Sequence, residues 1–210
     1  MKRSKLLLMA AVGMLFVASQ ALAVPIPNGA ATYQQWTFDD NDNPAIPEID
    51  LNPFGTAVAT MDGSAAGPPP EWAAELLGRT GVWKADGMIG ITLDVPNQMI
   101  RNPYKVIYLE VGFLGDPTNP AAFSVFPSPF GGTVQLVSQE VVVDPTTGWN
   151  TLFAEWYIEP NPDSESICYS FSGDIAAVDY VDVHTICVPE PLTIGLLGIG
   201  GLMLRRRRKA

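Results

Sequence analysis

Between residues 33 and 188 the chain is built from short runs in which apolar and polar residues alternate, separated by Pro, Gly, Asn and Asp. The clearest run is 104–113, where Ile107, Leu109, Val111 and Phe113 alternate with Tyr108, Glu110 and Gly112. A period of two places the two sets on opposite faces of a strand, so the apolar set is predicted to be buried. Residues 151–159 repeat the pattern, with Leu152, Ala154, Trp156 and Ile158 against Phe153, Glu155 and Tyr157. In 178–187, Val181 and Val183 share one face while Asp182 and His184 share the other. Further strands are predicted at 33–38, 56–61, 82–85, 88–95, 133–143 and 165–171. Asp86-Gly87 predicts a hairpin turn. Residues 71–77, closed by Gly78, predict one short helix. A long Pro-rich loop is expected over 116–130. Seventeen of the 19 prolines lie between residues 24 and 188, which argues against long helices. About nine short strands without βαβ alternation predict an all-β fold, a single antiparallel sandwich.

The two ends of the chain have a different pattern. Lys2, Arg3 and Lys5 precede an apolar run over 6–18, and Ala21-Leu22-Ala23 supplies small residues at Ala21 and Ala23. That order is expected of a secretory signal peptide cut after Ala23. At the other end, Pro189, Glu190 and Pro191 are followed by an uncharged apolar run over 192–204. Arg205, Arg206, Arg207, Arg208 and Lys209 come next. The prolines keep the triplet extended and out of any strand ladder. The apolar run suits the bilayer, and the basic block stops translocation on the cytoplasmic side. As a helix, 13 residues reach only about 20 Å, a short span. This tail resembles the PEP-CTERM sorting signal of Gram-negative surface proteins. The resemblance implies recognition and cleavage by an exosortase-type membrane enzyme. The domains expected are therefore a signal peptide (1–23), a β-sandwich ectodomain (24–188) and a sorting and anchor segment (189–210).

Once the ends are set aside, the charge changes character. The stretch 24–188 contains Arg79, Lys84, Arg101 and Lys105 against 21 acidic residues, a net charge of −17. Such a surface repels phosphate, so no nucleic-acid partner is expected. Two cysteines, Cys168 and Cys187, are candidates for one disulfide in an exported chain. Without a Cys-x-x-Cys pair, neither a redox motif nor a zinc site is indicated.

Candidate chemistry is sparse. His184 is the single histidine and shares a strand face with Asp182, but no Gly-x-Ser-x-Gly elbow accompanies them. Glu110, Glu140, Glu155 and Glu159 lie on predicted strands, where alternating acids also describe a solvated sheet face. Asp39-x-Asn41-x-Asn43 has the oxygen spacing of a calcium loop, with Asp50 at its twelfth position. Pro44 replaces the glycine such a loop needs, so only a looser calcium site is compatible. Trp36, Trp83 and Trp156 are assigned to the core, while Trp72 and Trp149, near turns, are the candidates for glycan contact. No cofactor is otherwise expected.

The segments Trp-Thr-Phe-Asp (36–39), Asn-Pro-Phe-Gly (52–55), Gly-Val-Trp (81–83) and Pro-Asn-Pro-Asp-Ser-Glu (160–165) resemble ectodomains that precede such tails. Those ectodomains are similar to the jelly-roll sandwiches of carbohydrate-binding modules. The sequence thus leads to an exported, non-enzymatic protein of the cell surface or extracellular matrix. It would be held in the inner membrane by its C-terminal helix during processing, then reach the cell surface or extracellular matrix. One alternative is a carbohydrate-binding module for extracellular polysaccharide; a second is a secreted glycan hydrolase or lyase.

Overall fold

The computed structural model describes residues 31–63, 68–98, 103–116, 124–128 and 132–188. The signal peptide with Ala21 and Ala23 and the tail from Pro189 onward, including Glu190, Pro191 and Arg205 to Lys209, lie outside these residues. Ten strands follow one another: β1 (Ala31–Trp36), β2 (Ile49–Leu51), β3 (Val58–Gly63), β4 (Glu71–Leu76), β5 (Arg79–Pro96), β6 (Tyr104–Leu114), β7 (Ser124–Ser128), β8 (Thr133–Val143), β9 (Asn150–Glu159) and β10 (Ser164–Val188). All pair antiparallel, and no helix occurs among the described residues.

The longest strand, β10, holds the sheet together. From Ser164 to Val178 it pairs with β5, and from Ala177 to Val188 with β6. Its neighbours on the other side are β7 early and β1 late. One wing of the sheet therefore runs β2-β1-β10-β6-β9-β8, and the other joins β3 and β4 to β10 through β5. Register shifts between Gly173 and Ile175 and between Val178 and Tyr180 mark where β10 changes partners. Such bulges bend a strand and sharpen its twist, which lets one strand serve two wings.

The alternation then decides what is buried. Ile107, Leu109, Val111 and Trp156, predicted to be inside, are all 3% exposed or less. They share one hydrophobic cluster with Ile89, Ile91, Leu93, Ile167 and Tyr169 of the other wing. Phe113 of β6 stacks on Phe171 of β10 with ring centroids 4.0 Å apart. Full burial of one such side chain stabilises by about 1.5–3 kcal/mol, so this shared core is what holds the wings together.

Several local expectations are corrected. The stretch 71–77 expected to be a helix instead forms strand β4 (Glu71–Leu76): Trp72 pairs with Trp83 and Glu75 with Thr80. The turn into β5 is Leu77-Gly78, both at positive φ (48° and 80°), the backbone a tight two-residue hairpin requires. Asp86-Gly87 is not a hairpin turn. The ladder to β10 continues through it, and Gly87 (φ 88°) instead sits opposite the bulge at Gly173. The predicted strands 82–85 and 88–95 are thus one, as are 165–171 and 178–187. Short β2 was not anticipated, and β7 falls within the stretch expected to be loop.

Candidate functional site

Because β1, β10, β6 and β9 lie side by side, the polar halves of their alternations meet on the outer face of that wing. In one row Tyr33, His184, Tyr108 and Glu155 are cross-strand neighbours; in the next, Gln35, Asp182, Glu110 and Phe153. The rows line a depression of about 280 Å³ that also includes Ser138. A second depression, of about 440 Å³, shares Glu110 and Asp182 and adds Tyr180, Asp179, Thr37 and Asp39. Together they form one trough across the sheet face.

Its aromatic groups are available. Tyr108 is 41% exposed and Phe153 is 40% exposed. His184 lies between two tyrosines, its ring centroid 6.5 Å from that of Tyr33 and 6.1 Å from that of Tyr108. Burial lowers the His184 pKa, so the imidazole is neutral at neutral pH and offers one donor and one acceptor. Burial, reinforced by Asp182, raises the Tyr33 pKa. The Tyr180 hydroxyl donates to Glu110 Oε1 at 2.7 Å, and burial with this bond raises its pKa. That ring lies over Gly112, where any Cβ would overlap it, so the glycine is what lets Tyr180 reach Glu110.

Glu110 and Asp182 stand directly opposite each other, while the nearby Arg79 pairs with Asp179 at 3.0 Å. Burial raises the Asp182 pKa, and Glu110 adds to the rise, while hydrogen bonds from Gln35 and Tyr33 oppose it. The trough thus presents exposed ring faces, a neutral imidazole, phenols and clustered carboxylate acceptors. Flat apolar faces flanked by acceptors suit ligands with alternating C–H faces and hydroxyl rims.

The sequence candidates fare differently. Trp149 is 2% exposed and belongs to a buried cluster with Val82 and Ala177, so it is not a glycan contact. The Asp144–Gly148 turn folds it inward, with the Arg79 guanidinium 5.8 Å from the ring centroid. Trp72 is half-buried against the core, its indole N–H bonded to Phe38 O at 2.9 Å. Cys168 and Cys187 are not joined in a disulfide: the Cys168 sulfur lies 3.6 Å from Thr92 Oγ1, and the Cys187 thiol donates to Asn161 Oδ1 at 3.3 Å. Cys168 points outward beside Thr92, opposite in sense to its buried neighbours Ile167 and Tyr169, while Cys187 points into the core of the other wing. In the 39–50 loop, Asn43 Oδ1 accepts the Met61 N–H at 2.9 Å, and Glu48 accepts the N–H groups of Thr37 and Asp39. Two of the oxygen-bearing side chains there are therefore already engaged by backbone. Groups of His, Cys, Asp and Glu arranged to hold a metal do not occur among the described residues.

No family model and no curated protein matches the chain. Among the described residues no helix is long and apolar enough to cross a membrane.

Proposed function

We propose that this chain is an exported, non-enzymatic protein of the cell surface or extracellular matrix, handled through its C-terminal signal. The observation that carries the reading is the order Pro189-Glu190-Pro191, apolar 192–204, basic 205–209. In this reading the two wings form the layers of a jelly-roll-like sandwich. Glu190 is the one charged group between His184 and Arg205, so it gives a processing enzyme a single charge-assisted handle. Mature protein from the native host is expected to lack the residues beyond the Pro-Glu-Pro region. Glu190→Ala should leave an unprocessed form in the inner membrane. An intact Arg-Arg-Arg-Arg-Lys-Ala terminus on surface-recovered wild-type protein, read by mass spectrometry, overturns this.

A second reading, that the exported domain binds extracellular polysaccharide, is favoured by the trough of Tyr33, Tyr108, Phe153 and His184 beside Glu110 and Asp182. In it the trough takes the role that proximity to turns gave to Trp72 and Trp149. A glycan array with the purified protein, with and without calcium, is expected to give retention that Tyr108→Ala weakens. Retention unchanged by Tyr108→Ala moves the ligand elsewhere, and no retention on any glycan removes this reading while leaving the sorting proposal standing.

A further inference from the structure

Where β5 gives way to β6, an amine, an amide and a carboxyl group meet inside the core. Lys105 sits in the apolar register of β6, opposite Ile158 on one side and Cys187 on the other. Its side chain and that of Glu165 have no exposure at all, and Asn97 is 5% exposed. Lys105 Nζ donates to Glu165 Oε1 at 2.5 Å and also to Asn97 Oδ1. Asn97 Nδ2 donates to Glu165 Oε2 and to Pro162 O, and the Asn97 backbone N–H is tied to Asp163 O at 2.9 Å. Each of the three side chains therefore touches the other two.

As a bare ion pair this arrangement is poorly explained. Removing two charges from water costs several kcal/mol per ion, which apolar residues of similar volume avoid. The amide is also unnecessary for neutralising either charge. What the three groups do supply is a full set for acyl transfer: a nucleophile, a carbonyl carbon one bond beyond the oxygen the amine already contacts, and a proton carrier touching both. Moving one proton from ammonium to carboxylate leaves an amine and an acid, which a dry site favours over two charges. Burial acts in the same sense on Glu165, raising its pKa against the opposing pull of Lys105 and Asn97.

We propose that Lys105 and Asn97 are joined by a self-formed amide bond between Nζ and Cγ, with Glu165 as the proton carrier. The Nζ lone pair attacks Cγ while the carbonyl pair moves onto Oδ1. Glu165 takes a proton from Nζ and delivers one to Nδ2. The carbonyl reforms, the Cγ–Nδ2 bond breaks, and ammonia leaves. No oxidant, cofactor or second enzyme is needed, and exclusion of water protects Asn97 from the competing hydrolysis. The product is a covalent ring closed between residues 97 and 105 that fastens the end of β5 in one wing to β6 in the other.

Denaturing mass spectrometry of the full chain tests this. Whatever its termini, the wild-type protein is expected to be one ammonia, about 17 Da, lighter than the sum of its residues. After tryptic digestion the peptide 85–101 should stay joined to the one beginning at Asn102, with no cleavage after Lys105. An unreduced mass with free cleavage after Lys105 overturns the proposal. Glu165→Gln keeps the shape but cannot carry the proton, and it is expected to keep its full mass; a linked Glu165→Gln chain overturns the role of Glu165. Circular dichroism reads folding separately. If Glu165→Gln does not fold, Glu165→Asp retains the acid one methylene short and should link slowly over a time course. Linking by Glu165→Asp at the wild-type rate then overturns that role.

Discussion

Two clusters of acidic side chains differ in one respect that governs the rest. In the core, Glu165 is dry and meets Lys105 and Asn97. On the outer face, Glu110 and Asp182 are cross-strand neighbours with a phenol and an amide for company, while Arg79 pairs with Asp179 instead. The first is satisfied internally in every direction and therefore closed to ligands. The second keeps unspent acceptors and like-charge repulsion, which a hydroxyl-rich ligand or a cation from outside would relieve. Burial with complete partners makes structure, whereas half-burial with incomplete partners makes a surface that can bind.

The largest test of that contrast is Lys105→Met, which strands Glu165 in the core. A loss of about 3–5 kcal/mol in urea unfolding is expected. Replacing all three, Lys105→Met with Glu165→Leu and Asn97→Leu, should recover the part due to the stranded carboxyl but not the part due to the lost Lys105–Asn97 link; a triple variant as unstable as the single one breaks the account. Asp182→Asn should act oppositely, gaining roughly 0.2–1 kcal/mol near neutral pH by removing repulsion from Glu110. The sign also follows from the raised pKa. The folded state holds the Asp182 proton more tightly than the unfolded chain, so this contribution is fully present below the ordinary value of 3.8 and is lost as pH rises through the raised value. Asp182→Asn should flatten that part of the pH profile, measured as unfolding midpoints. Smallest in stability is Tyr108→Ala, which should cost no more than about 0.5 kcal/mol at this half-exposed position. Its expected effect is on glycan affinity, a loss of up to about tenfold if one ring-face contact is removed.

The alternation in 104–113 and 151–159 made both faces legible, because a two-residue period depends on nothing beyond the strand itself. The buried set and the outward set of Tyr108, Glu110, Phe153, Glu155, Asp182 and His184 both followed from it. That these six share one trough did not follow, since the order β1-β10-β6-β9 is set by pairings between distant segments. Trp149 misled because proximity to a turn was taken for exposure, whereas the Asp144 turn folds its own end inward. Asp86-Gly87 misled because the same φ > 0 that closes a hairpin also permits a bend within a paired strand. The core cluster did leave a trace: Lys105 occupies the register of Ile107 and Leu109, where an exposed lysine does not belong. Its acidic partner could be found only through the fold, since Glu165 is 60 residues away.

One strand serving both wings has a mechanical consequence. Val188, the last residue of β10, is still paired with Tyr104, and the strand ahead of it is flanked by β6 and β1 as far back as Val181. A pull on the C-terminal end of β10 that is directed along the strand runs parallel to these ladders. The bonds on both flanks are then loaded in shear, all together, and cannot be unzipped one at a time from a free end. A domain tethered by that end would yield only at forces that break many bonds at once, and it would do so as one unit, because the same strand continues into the core of the other wing.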